Sequence, residues 1–239
     1  MLPNPAIKRS TARHRVAWWV TIPVCLAVMV LANLSFHRWP TWSVLVGVST
    51  TVALAVLARW AKLGVADLGL ARSAWMSGLR WGGACVAVAA VAYAAALLIP
   101  AARAAVTDTA GSWSQALTVA LLVIPLGTII PEEFAFRGVL LGLAHREWGR
   151  WAATFFSSTV FGLWHVAPAL GGGSALEAFD ALVGGGTVGL LLRVAGTVVF
   201  TGVAGVLFCE LRVRSGSLLA PVLAHWAVNG LGVIFVQLA

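Results

Sequence analysis

"VAWWVTIPVCLAVMVLANLSF", residues 16–36, runs for 21 positions without a charged side chain. As a helix rising 1.5 Å per residue it reaches about 31 Å, the thickness of a bilayer's hydrocarbon core. Lys8, Arg9, Arg13 and Arg15 precede it, and no small-residue cleavage site closes it. The stretch therefore reads as a retained first membrane span behind a basic tail, residues 1–15.

Comparable runs follow near 41–58, 81–100, 116–143, 151–170, 187–209 and 217–238. The chain of 239 residues is 60% hydrophobic and 10% charged, with a mean hydropathy of +0.93. These values place it in the membrane class, and the expected fold is an all-α, polytopic transmembrane helical bundle of about seven spans. Residues 16–115 form an N-terminal group of helices and 116–239 a second, with no internal repeat and no soluble domain. Trp18, Trp19, Trp39, Trp42, Trp60 and Trp81, near the ends of apolar runs, suit anchoring at the interface.

The net charge of +8 does not point to nucleic acid, because the basic residues fall between apolar segments rather than on one patch. With the N-terminus inside, 13 basic residues lie on inner segments and two, Arg38 and Arg103, on outer ones. That asymmetry predicts a cytoplasmic N-terminus. Fourteen Arg against two Lys, amid abundant Ala, Val and Gly, hints at a bacterial source and hence its inner or plasma membrane. Cys25, Cys85 and Cys209 lie singly in apolar stretches, as small buried hydrophobes do. The Gly-rich segment 171–186 reads as an outer loop or lid.

The fourth span is the irregular one. Pro125 and Pro131 interrupt it and predict a kink or break, with Pro131 opening a new helix and Glu132 and Glu133 near its positive end. In "PEEFAFRG", 131–138, Glu133 and Arg137 stand i, i+4 in the order that favours an ion pair. Glu132 points about 100° away and is left over. An unpartnered carboxylate within a membrane is a functional-site hypothesis by default, unless it faces water at the inner surface.

Partners at the same depth are at hand. "FGLWH", 161–165, puts Phe161 and His165 on one face of the fifth span. A reverse turn at Gly149 brings His165, 16 residues beyond it, level with Glu132, 17 before it. "HWAVN", 225–229, places His225 and Asn229 one helical turn apart on the last span, about 14 Å in from a turn at Ser215–Gly216. A lone membrane histidine is more often structural, but three helices presenting polar groups at one level form a constellation.

At these residues the chain resembles the CAAX protease and bacteriocin-processing (CPBP, or Abi) membrane proteins, which include the type II CAAX prenyl endopeptidases. Their EExxxR, FxxxH and HxxxN motifs stand in order as Glu132-Glu133-Phe134-Ala135-Phe136-Arg137, Phe161 to His165, and His225 to Asn229. The likeness covers about 116–239, and no motif position departs from the pattern. It implies an intramembrane endopeptidase acting on a membrane-associated peptide or protein in the lipid bilayer.

Peptide hydrolysis needs an activated water, a stabilised oxyanion and a protonated leaving amine. Glu132, supported by His165, is the candidate base; His225 and Asn229 are candidate oxyanion donors, the division of labour the resemblance also implies. Glu133 and Arg137 are read as a supporting ion pair, and Phe161 as packing that limits water access or simply fills the core. Zn2+ on Glu132, His165 and His225 is the alternative, weakened by the missing HExxH spacing and by Asn229, a poor zinc ligand. A non-catalytic scaffold or bacteriocin immunity factor, with the polar cluster locking helices, is the competing function.

Overall fold

The computed structural model describes residues 5–104, 106, 111–171, 184 and 186–239, with side chains from Trp19 onward. Among the described residues there is no strand. The long helices are α1 (Pro5–Arg38), α2 (Ser43–Trp60), α3 (Trp75–Ala96), α4 (113–148), α5 (150–164), α6 (Gly186–Ser215) and α7 (Leu219–Leu238). Six stretches are long and apolar enough to cross a membrane. One of them, Trp113–Leu170, is 58 residues long and comprises α4 and α5, which fold back on each other. The fold is the expected polytopic helical bundle. The anticipated lid at 171–186 lies almost entirely outside the described residues.

Gly149 makes the α4–α5 reversal. Its φ of 79° lies in the left-handed region, where a side chain is strained and glycine is not. The arms are then in register: Ser157 Oγ donates to the Phe136 carbonyl at 2.8 Å, 21 residues back along the chain.

The interruption in α4 is a change of hydrogen-bond register rather than a chain break. Val119–Val123, Pro125–Ile129 and Phe134–Leu140 are π-helical, and Ile130–Glu133 is a single α turn between them. Proline lacks an N–H and its ring crowds the carbonyl four residues back; a wider i→i+5 turn relieves both problems. Ile129 and Ile130 keep right-handed helical angles, so Pro131 follows helix, and Glu132 and Glu133 sit within one rather than at its positive end. The widened turn also leaves a carbonyl to be claimed from outside: Trp226 Nε1 on α7 donates to the Ala120 oxygen at 2.8 Å.

Residues 131–144 of α4 are buried without exception, which makes this helix the axis of the bundle. Leu54, Phe136, Val139, Leu140 and Phe161 form the centre of the core around it. The outer helices show the opposite character, with Phe155 and Phe200 each 73% exposed and Val88 70%. Such side chains on a soluble protein would be a liability; around a membrane bundle they meet lipid. Trp19, Trp39, Trp42, Trp60 and Trp81 are likewise exposed. Cys25 and Cys209 are fully buried, Cys85 is half-buried, and all three are free thiols.

Candidate active site

The axis helix carries both glutamates, and its surroundings separate them. Glu133 is fully buried, and its Oε1 accepts from Arg137 Nη1 at 2.9 Å and from His225 Nδ1 at 2.8 Å. Sequence spacing gave the first of these partners and not the second. Arg137 is also fully buried; its Nη2 reaches the Gly205 carbonyl on α6 at 3.4 Å. The guanidinium carbon lies 4.0 Å from the ring centroid of Phe161, 5.0 Å from Phe208 and 5.7 Å from Phe136. Three ring faces thus take the place of water around the cation, each a contact of about 2 kcal/mol when desolvated.

Phe161 is the hub of this packing. Its ring meets those of Phe136, His165 and His225 edge to face, at centroid distances of 4.9, 4.7 and 6.1 Å. Phe208 stacks on His225 at 5.2 Å with 27° between the planes. The imidazole is clamped between two rings and oriented by Glu133. With Nδ1 committed, His225 Nε2 has no partner among the described residues.

Glu132 has a different environment. Its Oε1 accepts from Trp164 Nε1 at 3.0 Å, and its Oε2 is buried with no hydrogen-bond partner among the described residues. A cavity of about 10 Å³ borders the carboxylate, between Met29, Thr50, Phe136 and Trp164, which is at the lower limit for one water. His165 turns away: it caps the end of α5, and its Nδ1 bonds the Phe161 carbonyl at 2.8 Å. No hydrogen bond joins Glu132 to His165 among the described residues. Asn229 is half-buried one turn beyond His225 on α7.

Trp164 and Phe208 are the residues that sequence reasoning missed. Trp164 stands inside the quoted "FGLWH", three positions from Phe161 and so on nearly the same face. A tryptophan within a membrane bundle must find an acceptor for its N–H, which is the signal that could have marked it. The N-terminal helices hold it in place: Asn33 Nδ2 on α1 donates to the Trp164 carbonyl at 3.0 Å, and Phe36 meets its ring at 6.4 Å.

The zinc alternative does not fit these positions. Among the described residues no group of three or more His, Cys, Asp or Glu is placed to hold a metal ion, so Glu132, His165 and His225 do not form a ligand set.

An acid, an arginine and histidines from separate helices, enclosed in a lipid-facing bundle, define a polytopic membrane protein with a buried polar site. Residues 112–231, half of the chain, match the family model described as type II CAAX prenyl endopeptidase Rce1-like, and the chain belongs to that family of membrane-embedded proteases. The match includes Glu132, Glu133, Arg137, Phe161, His165, His225 and Asn229. No curated protein and no solved structure matches the chain.

Proposed function

We propose that this protein is an intramembrane endopeptidase that hydrolyses a peptide bond of a membrane-associated protein or peptide, using a glutamate-activated water. The observation that carries the reading is Glu132: one carboxylate oxygen is held by an indole N–H and the other is buried with no partner among the described residues. Burying an unpaired carboxylate oxygen costs free energy; Glu133 bears that cost too but is held by Arg137 and His225, whereas Glu132 is in no ion pair among the described residues.

In the reaction Glu132 Oε2 takes a proton from the attacking water, and the oxygen adds to the peptide carbonyl. The same carboxyl group then delivers that proton to the leaving amine, so the glutamate ends as it began. Trp164 fixes the carboxylate's rotation. Asn229 donates its amide N–H to the oxyanion. His225, oriented by Glu133 through Nδ1, stands with Asn229 at the oxyanion. His165, whose Nε2 has no partner among the described residues, completes the polar wall.

The basic residues on the inner segments orient the chain with its N-terminus in the cytoplasm, in a bacterial inner membrane by the Arg-rich composition. A structural lock has one observation in its favour, since Glu133, Arg137 and His225 tie α4, α6 and α7 together. The two readings part at Glu132→Gln. Purified wild type and variant are incubated with a library of membrane-associated peptides, with and without chelator, and products are read by mass spectrometry. Cleavage by wild type that survives chelator and is absent from a folded variant supports the proposal; equal cleavage by both proteins sinks it.

A further inference from the structure

A second polar cavity lies at the end of the bundle that carries the α2–α3 loop, the Gly149 turn and the Gly216 turn. It holds about 420 Å³ and is walled by Asp67 of the loop, His145 and Arg146 near the end of α4, and Arg212 at the end of α6. Three separate segments build it, and backbone bonds fix their positions. Arg212 Nη2 donates to the Ala66 and Asp67 carbonyls at 3.0 and 2.9 Å, Arg146 Nη2 donates to the Lys62 carbonyl at 3.0 Å, and Leu218 N donates to the Gly69 carbonyl at 2.8 Å.

Each arginine has donor capacity to spare. The interactions of Arg212 and Arg146 run through Nη2, leaving Nη1 of both without a partner among the described residues. His145 is exposed and also has no partner there. The negative group in the wall, Asp67, is engaged at Oδ2 by the Gly64 N–H and by Arg146. Arg212 is preset as well as free: it is only 8% exposed, and it lies flat against Gly69, where a Cβ would stand 2.2 Å from its Nε. Gly69 has a φ of 73°, so a side chain there is barred by backbone angle and by space alike.

Two fixed guanidinium groups beside an open imidazole suit a phosphate group, which accepts several N–H donors at once. The location suits one carried by a lipid. This end of the bundle has eight basic residues, Arg59 to Arg214, against Asp67, Glu147 and Glu210, and exposed Trp60 and Trp151 mark the level of the headgroups. We infer that the cavity is a binding site for a phosphate anion, presented as an anionic phospholipid headgroup or free in solution. Its chemistry is independent of the protease site.

The test uses full-length protein in detergent, offered equal phosphatidylglycerol and phosphatidylcholine, with bound lipid counted by native mass spectrometry in the presence and absence of inorganic phosphate. Wild type should favour phosphatidylglycerol. His145→Glu and Arg212→Gln should each cut that preference about fivefold, while Arg80→Gln, outside the cavity, leaves it intact. Arg212 also fastens the loop, so its variant can fail to fold; His145 is exposed and bonds nothing among the described residues, and its variant keeps the test decisive. Displacement of the lipid by inorganic phosphate identifies the bare anion as a sufficient ligand; retention identifies the lipid-borne diester. Equal binding of both lipids with no effect of phosphate on melting temperature overturns the inference, as does a phosphatidylglycerol preference that survives both cavity substitutions.

Discussion

Charged side chains gather in two regions of this molecule, and they are partnered in opposite ways. On the bundle axis, Glu133 and Arg137 are fully buried and joined at 2.9 Å, with His225 on the carboxylate and the Gly205 carbonyl and three aromatic rings around the guanidinium. At the bundle end, Arg146 with Asp67, and Arg150 and Arg214 with Glu210, pair at partly exposed positions, and Arg146 also donates to the Lys62 carbonyl. The outer network resembles ordinary fastening, where each pair is worth about 1 kcal/mol or less. The inner one removes ions from water at a cost of several kcal/mol each, and among the described residues it leaves Oε2 of both glutamates unpartnered. Fastening alone gives no reason for the second arrangement, and a reaction does.

The largest effect that follows is on activity. Glu132→Gln should lower peptide cleavage by about 10²–10⁴-fold, the usual worth of a positioned general base, while the melting temperature stays within a few degrees of wild type. A folded variant that cleaves at the wild-type rate would place Glu132 with the fasteners and remove the contrast.

Next comes a stability effect at the centre. Arg137→Met strands Glu133 as a buried unpaired charge and should cost about 3–5 kcal/mol in denaturant unfolding from micelles. Adding Glu133→Gln should recover much of that loss, because His225 Nδ1 can still donate to the amide oxygen. At the bundle end Arg146→Gln should cost under about 1 kcal/mol. Similar losses for Arg137→Met and Arg146→Gln would erase the distinction between the regions.

Trp164→Phe sharpens the comparison on a single bond. It keeps the edge contacts with Phe36 and Phe136 and removes one hydrogen bond to the Glu132 carboxylate, worth about 1.5–3 kcal/mol. The expected signature is a fall in kcat of about tenfold or more, an unchanged KM and a displaced pH–rate profile. A merely structural tryptophan would lower melting temperature and leave the pH profile where it was.

How far the sequence reached has a physical pattern of its own. Apolar runs of bilayer length gave the helices, Gly149 gave the hairpin, and i, i+4 spacing gave the Glu133–Arg137 pair, because each is set by local geometry. The partners of Glu132 and His225 were out of reach for a definite reason. Assigning faces at 100° per residue assumes an α-helix, and π turns on both sides of Ile130–Glu133 rotate that frame. A small rotation decides which of two adjacent glutamates meets α7 and which meets α5. Phe208 was missed because stacking across helices leaves no mark on spacing, and Trp164 because its need for an acceptor does not say which carboxylate supplies it. The contribution of α1 through Asn33 lay outside every motif.

The smallest prediction concerns the bundle end, where acid should act on Asp67. Burial pushes its carboxyl upward, but the hydrogen bond from Arg146, the Gly64 N–H and the charges of Arg146 and Arg212 outweigh that and hold it below the usual carboxylate range. A carboxylate held low in the folded state adds stability that is fully present above the unfolded value, about pH 4, and is lost as pH falls through the lower folded value. Asp67 is a third exposed, so solvent screens the gain to under about 1 kcal/mol. Wild type and Asp67→Asn should therefore differ slightly in melting temperature at pH 6, with the gap closing as pH is lowered past 4. A gap that persists unchanged to low pH would mean that Asp67 acts through its shape and neutral contacts, and the outer network would then owe little to its charges.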